Sequence, residues 1–326
     1  MKAEGRQRVS EPLVIDTKMH GRDRITGAFL VIGRSAALVE TGPKSSVRHV
    51  IAALDAAGID SLAWIVVTHI HLDHAGGAGS LAARYPEAKV AVHPAGAPHL
   101  SDPTKLWSSA ARIYGDDMER LWGGIDPVAS ERVHVLHDGD EVDLGGRALR
   151  AVETLGHAGH HHSFVDSDTG AVFVGDALGV RLPSSGVVRP ATPPPEFDLD
   201  LARASIARIR GLGAGSLWLT HFGPQDAGTE PLAVEEACDR ACEALERWGE
   251  WVRAARAIAP DLDTAYPLVE ARARADLEGT LDPEAVALLE QTTSYRMNVW
   301  GFMRYFDRVS DPRNEHLRPN TGGRLH

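Results

Sequence analysis

The sequence is short of several things that define a protein's setting. Cysteine is nearly absent, with two in 326 residues. No disulfide framework can be built from them, and a reducing cytoplasm is the expected compartment. Their four-residue spacing puts Cys238 and Cys242 on one face of a helix, and two small buried side chains is the preferred reading over a metal pair. Long apolar runs are also missing: nothing approaches the roughly 18 consecutive apolar residues of a membrane span. The opening stretch MKAEGRQRVSEPLVID contains no signal-peptide apolar core, so export is not expected. Basic charge is in deficit, with 34 Lys plus Arg against 45 Asp plus Glu and a formal net charge of −11. No Lys/Arg cluster offsets that field locally, so neither a nucleic acid nor a membrane surface is an expected partner. No internal repeat stands out.

What is present is a large apolar fraction and an unusual number of histidines. At 43% hydrophobic the chain can bury a sizeable core, as one large domain or one domain plus an accessory part. Between about residues 12 and 226, short apolar runs alternate with helical patterns and Gly-rich turns. Candidate strands are AFLVIG (28–33), SAALVE (35–40), WIVVT (64–68), KVAVH (89–93), RALRAVET (147–154), AVFVG (171–175) and SLWLT (216–220). The first two form an early hairpin, and HDGDEVDLGG (137–146) supplies another tight turn. Helical patterns fall near 45–57, 78–85 and 198–210. Mixed strands with interleaved helices predict an α/β layered core. The Pro-rich RPATPPPEFDLD (189–200) has no regular structure open to it; a linker and a rigid pocket wall are equally good readings.

After about residue 227 the composition shifts to helix formers. Val234, Cys238, Cys242, Leu245, Trp248, Val252, Ala255 and Ile258 recur at three-to-four spacing, the mark of an amphipathic helix. Asp282 followed by Pro283 predicts an N-cap and first helical residue, opening a second long helix to about 308. The last residues, 311–326, are polar and read as a loose tail.

The chemistry is concentrated in WIVVTHIHLDHAGG (64–77), which holds His69, His71, Asp73 and His74. A regular helix cannot gather them, because residues two apart do not share a face. They follow a strand, so they describe a turn at its carboxyl end. His69 and His71 are spaced to share one ion, while Asp73 and His74 can reach a neighbouring one. Three more apolar runs end the same way: VETLGHAGHHHS delivers His157, AVFVGDALG delivers Asp176 and SLWLTHFGP delivers His221. Strand carboxyl ends are where open α/β sheets commonly bind ligands. Any one of these four segments alone reads as caps or solvated side chains; all four in this order read as a metal site.

The series HxHxDH…H…D…H resembles that of the metallo-β-lactamase superfamily, specifically its binuclear hydrolases, over residues 12–226. The resemblance implies an α/β four-layer αββα sandwich with metals at one edge; with the change in composition it gives a catalytic domain at 1–226, followed by a helical cap or dimerisation region at 227–310 and the polar tail at 311–326. It implies that His69, His71 and His157 hold a first ion, that Asp73, His74 and His221 hold a second, and that Asp176 bridges them. His161 matches a histidine that is usually not a direct ligand, and His160 and His162 have no counterpart. Glu40 and Thr41, in VETGP, match a loop that more often reads DTG, here with Glu in place of Asp. Imidazole and carboxylate donors suit zinc, manganese or iron, zinc foremost. Two such ions, about 3.5–4 Å apart, can hold a hydroxide between them for attack on a polarised carbonyl. The resemblance gives Asp73 a further role in steering or accepting a proton.

Several reactions share this site. Di-iron members that reduce oxygen or nitric oxide carry Glu where His71 stands, members acting on nucleic acid would want a basic face, and true antibiotic hydrolases are typically exported. A small-molecule thioester, lactone or other ester is therefore the expected substrate. The lactone-cleaving relatives use a tyrosine soon after the bridging aspartate, and here the next one is Tyr266. Tyr295, Arg296 and Arg304 could grip a thiol carrier, but helix surface and core is the preferred reading; Trp300, Phe302 and Phe306 read as core. Structural roles are preferred for His93 and His99, whereas Arg181 and Pro183 are equally well pocket lining or surface turn. A different class, a non-hydrolytic metal protein acting in iron-dependent oxygen chemistry or as a partner-binding module, is the alternative.

Overall fold

The computed structural model describes residues 11–181, 187–224 and 233–310. These group into two compact units, one comprising 11–153, 160–175 and 212–224, the other 154–159, 176–181, 187–211 and 233–310. The tail expected at 311–326 and the residue Pro183 lie outside the described residues.

The first unit is built on two six-stranded sheets. Strands β1 (Leu13–Asp16), β2 (Gly27–Ile32), β3 (Ala36–Val39), β4 (Trp64–Val66), β5 (Lys89–Val92) and β6 (Val133–Val135) lie in that order, antiparallel up to β3 and parallel from there. Four more strands follow: β7 (Glu141–Asp143), β8 (Ala148–Glu153), β9 (His162–Asp166) and β10 (Ala171–Gly175). The short pair β11 (Val180–Arg181) and β12 (Val188–Arg189) belongs to the second unit. With β13 (Ser216–Leu219) and β14 (Gly223–Pro224), the second sheet runs β14-β13-β10-β9-β8-β7, with β10 and β13 parallel. The helices of this unit are α1 (Val47–Ala56), α2 (Leu72–Ala75), α3 (Ala78–Arg84), α4 (Ala97–Ser101), α5 (Thr104–Tyr114) and α6 (Met118–Trp122).

The two-residue period of the strands explains the layering. Ala28, Leu30, Leu38, Ile65, Val90 and Val92 cover one face of the first sheet and pack with Val50 and Leu54 of α1 and Leu81 of α3. The alternate residues Phe29, Val31, Ala37, Val39, Val66 and Ala91 meet Leu149, Ala151, Phe164, Phe173 and Trp218 of the second sheet. A sheet buried on both faces needs near-continuous apolar strands, which is why β2 to β5 were legible as apolar runs. Strand β9 was not foreseen, since HSFVD carries a buried histidine where the pattern wants an apolar residue.

The second unit holds α7 (Leu199–Arg210), α8 (Val234–Ile258), α9 (Leu262–Leu277), α10 (Pro283–Thr292) and α11 (Tyr295–Ser310). Asp198, Asp261 and Asp282 cap α7, α9 and α10 by accepting backbone N–H bonds. The face predicted for α8 is largely right: Cys238, Leu245, Trp248, Val252 and Ala255 are buried, whereas Cys242 is half-buried and Ile258, in the last turn, is exposed. The single helix expected from Pro283 to about 308 is two helices. Thr293 is extended, and its hydroxyl reaches the Asn298 side chain at 3.0 Å, while Ser294 Oγ accepts from the Met297 N–H at 3.2 Å. Hydroxyl side chains that bond nearby backbone compete with helix continuation.

Candidate metal centre

In the first unit the chain leaves β4, passes the buried Thr68 and His69, and turns into the one-turn helix α2. His69 Nε2 and His71 Nδ1 stand 2.9 Å apart, close enough to share an ion, and His69 Nδ1 meets the Thr68 hydroxyl at 3.0 Å. Ligand atoms of Asp73, His74 and His221 lie within 4.8 Å of one another. Asp73 Oδ2 is 3.7 Å from His74 Nε2 and 3.5 Å from His221 Nε2.

The far ring nitrogens of both imidazoles are engaged. His221 Nδ1 donates to the Ile25 carbonyl at 2.9 Å, and His74 Nδ1 lies 3.2 Å from Glu40 Oε1. The same Glu40 oxygen accepts from the Thr68 hydroxyl (2.5 Å) and the Thr220 hydroxyl (3.2 Å). Glu40 is wholly buried and sits at φ 65°, a left-handed conformation that a non-glycine residue adopts only under constraint. Thr41 pins the turn itself: its hydroxyl lies 2.7 Å from the His74 carbonyl and accepts from the Gly77 N–H at 3.1 Å. Histidine ligands are commonly held in this manner by a carboxylate or carbonyl on the far nitrogen.

His157 and Asp176 stand together in the second unit, His157 Nε2 being 3.5 Å from Asp176 Oδ2. His157 Nδ1 donates to the Ala191 carbonyl at 2.9 Å. Gly156, just before it, has φ 125°, and a Cβ there would lie 2.2 Å from the Ala202 nitrogen, so only glycine fits. Of the Pro-rich stretch, Pro190, Ala191 and Phe197 line a small pocket with His157 and Asp176. For these residues the pocket-wall reading holds.

The other candidates resolve by their surroundings. His160 stacks on His69 at 6.1 Å between ring centroids and meets His71 edge-on at 5.5 Å, a proximity that no motif announced. His161 is buried against Gly175, where a Cβ would sit 2.5 Å from its Nε2. His93 pairs with Glu153 at 3.3 Å and packs on His162, in keeping with a structural role. Burial, and then the neighbouring His93, push the His162 imidazole down to about 4, so it is neutral near pH 7. His99 is half-buried on α4, and Arg181 is buried. Tyr295 is core, Arg296 pairs with Asp263 on the surface, Arg304 is exposed, Phe302 and Phe306 are buried and Trp300 is half-buried. His20 and Tyr114 went unread in the sequence, because no motif marks them, yet both feel the Asp73 charge. Burial lowers the His20 pKa against the pull of Asp73, and burial followed by Asp73 raises that of Tyr114. The two rings bracket Trp122, at 5.8 and 5.1 Å.

With this geometry established, comparison with known proteins identifies the family. The sequence model of the metallo-β-lactamase superfamily matches residues 21–221, well over half of the chain. The chain belongs to the metallo-β-lactamase superfamily. A metallo-β-lactamase fold-containing protein of Sulfurisphaera tokodaii is 34% identical over 161 residues, which cover 48% of this chain and 57% of that protein. A hydroxyacylglutathione hydrolase of Rhodopseudomonas palustris is 34% identical over 128 residues, covering 39% of this chain and 38% of the enzyme. The chain thus aligns with about half the length, or less, of these curated relatives. The crystal structure of an archaeal superfamily protein from Sulfolobus tokodaii superposes with a TM-score of 0.65 at 23% identity, over 89% of this chain and 97% of that one. The fold is accordingly the superfamily's αββα arrangement with a C-terminal helical region. The superfamily's expected metal finds a suitable donor set: imidazole nitrogens and a carboxylate, with far-side partners in place, fit a divalent cation.

Proposed function

We propose that this protein is a binuclear metal-dependent hydrolase that cleaves a thioester, a lactone or another carboxylic ester. The observation that carries the reading is the Asp73–His74–His221 group, whose imidazoles offer Nε2 because Glu40 and Ile25 occupy the Nδ1 side. On the order of the motifs, His69, His71 and His157 are assigned to a first ion, Asp73, His74 and His221 to a second, and Asp176 to both. Zinc is the expected metal, with iron and manganese sharing its donor preferences. When bound, the ions supply Lewis acidity at the acyl oxygen and acidify a coordinated water to a pKa of about 7.

The chain's own contribution is orientation and proton handling. Glu40 and the Ile25 carbonyl hold two imidazoles in one tautomer, and Thr41 fixes the turn that presents them. Asp73, whose side chain remains 17% exposed beside both rings, is the carboxylate placed to accept a proton as well as to ligate. The kinship with hydroxyacylglutathione hydrolases supports an acyl substrate. A thioester is favoured over a lactone because no tyrosine occurs between Asp176 and Tyr266. The reading places the protein in the cytoplasm with a small acyl compound as its partner; among the described residues no helix is long and apolar enough to cross a membrane. Turnover of a panel of acyl thioesters, lactones and aryl esters tests it. Zinc-loaded protein should hydrolyse at least one class, and Asp73→Asn should lower that rate by about 10²–10⁴, the usual contribution of a positioned acid or base. Zinc-loaded protein inert on the whole panel contradicts the hydrolase assignment.

A further inference from the structure

Helix α11 carries two residues that the hydrolase reading leaves unused, and both meet the same piece of backbone. Asn298 is wholly buried, and both ends of its amide are engaged. Its Nδ2 donates to the Pro190 carbonyl at 2.8 Å, and its Oδ1 accepts from the Thr192 N–H at 2.9 Å. The Thr192 hydroxyl adds a contact at 3.1 Å to the Asn298 carbonyl, and the Thr293 hydroxyl one at 3.3 Å to the Pro190 carbonyl. Three residues further along α11, Gly301 has no room for a side chain: a Cβ would lie 1.8 Å from the Thr192 carbonyl oxygen. A glycine inside a helix is unfavourable unless a close approach demands it, and here the backbone of Thr192 supplies that demand.

The consequence follows from peptide geometry. The Thr192 N–H and the Ala191 C=O belong to one planar trans unit, so they point in opposite directions. Holding the N–H on Asn298 turns the carbonyl the other way, onto His157 Nδ1 at 2.9 Å. His157 Nε2 then faces Asp176 Oδ2 at 3.5 Å. Hydrogen bonds in such a chain polarise one another, and a stronger acceptor on the far nitrogen makes the imidazole a better ligand.

We propose that Asn298, with Gly301, is a positioning residue for His157, the histidine assigned to the first ion, so that the C-terminal helical region sets the orientation of that imidazole through the Ala191–Thr192 peptide. The inference rests on the metal-hydrolase reading. It is tested by Zn²⁺ titration calorimetry on chelator-stripped full-length protein, and by thermal unfolding with and without Zn²⁺. Asn298→Ala should weaken Zn²⁺ binding by about 10–100-fold, the usual effect of removing a ligand's orienting partner, and should shrink the Zn²⁺-induced rise in Tm. A purely structural role would lower the Tm of the stripped protein and leave Zn²⁺ affinity unchanged, which overturns the proposal. Should Asn298→Ala fail to fold, Thr192→Val, which keeps the volume and removes only the hydroxyl, carries the test. It is expected to weaken Zn²⁺ binding by about tenfold, the low end of that range, and unchanged affinity again overturns the proposal. Wild-type protein that takes up no Zn²⁺ fails differently, since it removes the metal reading itself.

Discussion

Glu40 offers the most quantitative test of how the site is held. One buried oxygen serves the Thr68 hydroxyl, the Thr220 hydroxyl and His74 Nδ1, at 2.5, 3.2 and 3.2 Å. Glu40→Ala leaves all three in a space closed to solvent. An orphaned buried polar group costs about 1–3 kcal/mol; because hydroxyls rotate to other acceptors, the sum comes to about 3–6 kcal/mol of folding stability. Glu40→Gln keeps the volume and one acceptor, so about 1–2 kcal/mol is expected from the same source. It also withdraws the carboxylate from His74, which should weaken the second ion about 10–100-fold, equivalent to about 1.4–2.7 kcal/mol. A third variant separates the backbone from the side chain. Glu40 stands at φ 65°, a conformation that costs a residue with a Cβ about 1–2 kcal/mol. Glu40→Gly should therefore be more stable than Glu40→Ala by about 1 kcal/mol while losing metal to the same degree. Urea unfolding of stripped protein gives the stabilities, and Zn²⁺ titration gives the affinities. Glu40→Gln with two ions at wild-type affinity, or Glu40→Ala as stable as wild type, would refute the reasoning.

Two further outcomes follow from the same geometry. Asp176→Ala should lower metal content toward one ion per chain and cut turnover by orders of magnitude; retention of two ions and full activity would show that Asp176 does not bridge. His162 makes stability depend on acid: its folded-state pKa of about 4 lies below the ordinary value of 6.5. The unfolded chain therefore binds the proton first, and the contribution is present above pH 6.5 and lost as the pH falls towards 4. Between pH 7 and pH 5, wild type should lose about 2 kcal/mol more than His162→Gln in urea unfolding. Equal losses would place His162 in a more solvated setting.

How much of this was legible beforehand varies from residue to residue. The strands that end in candidate metal donors announced themselves, because an apolar run buried on both faces must be nearly continuous, and a His or Asp at its end breaks the pattern visibly. His69, Asp73, His74 and His221 were singled out as candidates on that ground, and His157 and Asp176 likewise. Strand β9 was missed because a buried, neutral His162 looks polar on paper. The break between α10 and α11 was missed because it contains neither Pro nor Gly; side-chain contacts of Thr293 and Ser294 set it. Asn298 was invisible for a related reason. Its partners lie more than a hundred positions back in the chain, and helical periodicity records only that its face is buried.

Metal content per chain, measured by elemental analysis on protein purified without added metal, tests the central claim most directly. The account predicts two ions per chain, zinc or a mixture with iron or manganese. Protein that holds no metal, even after careful reconstitution, would contradict it.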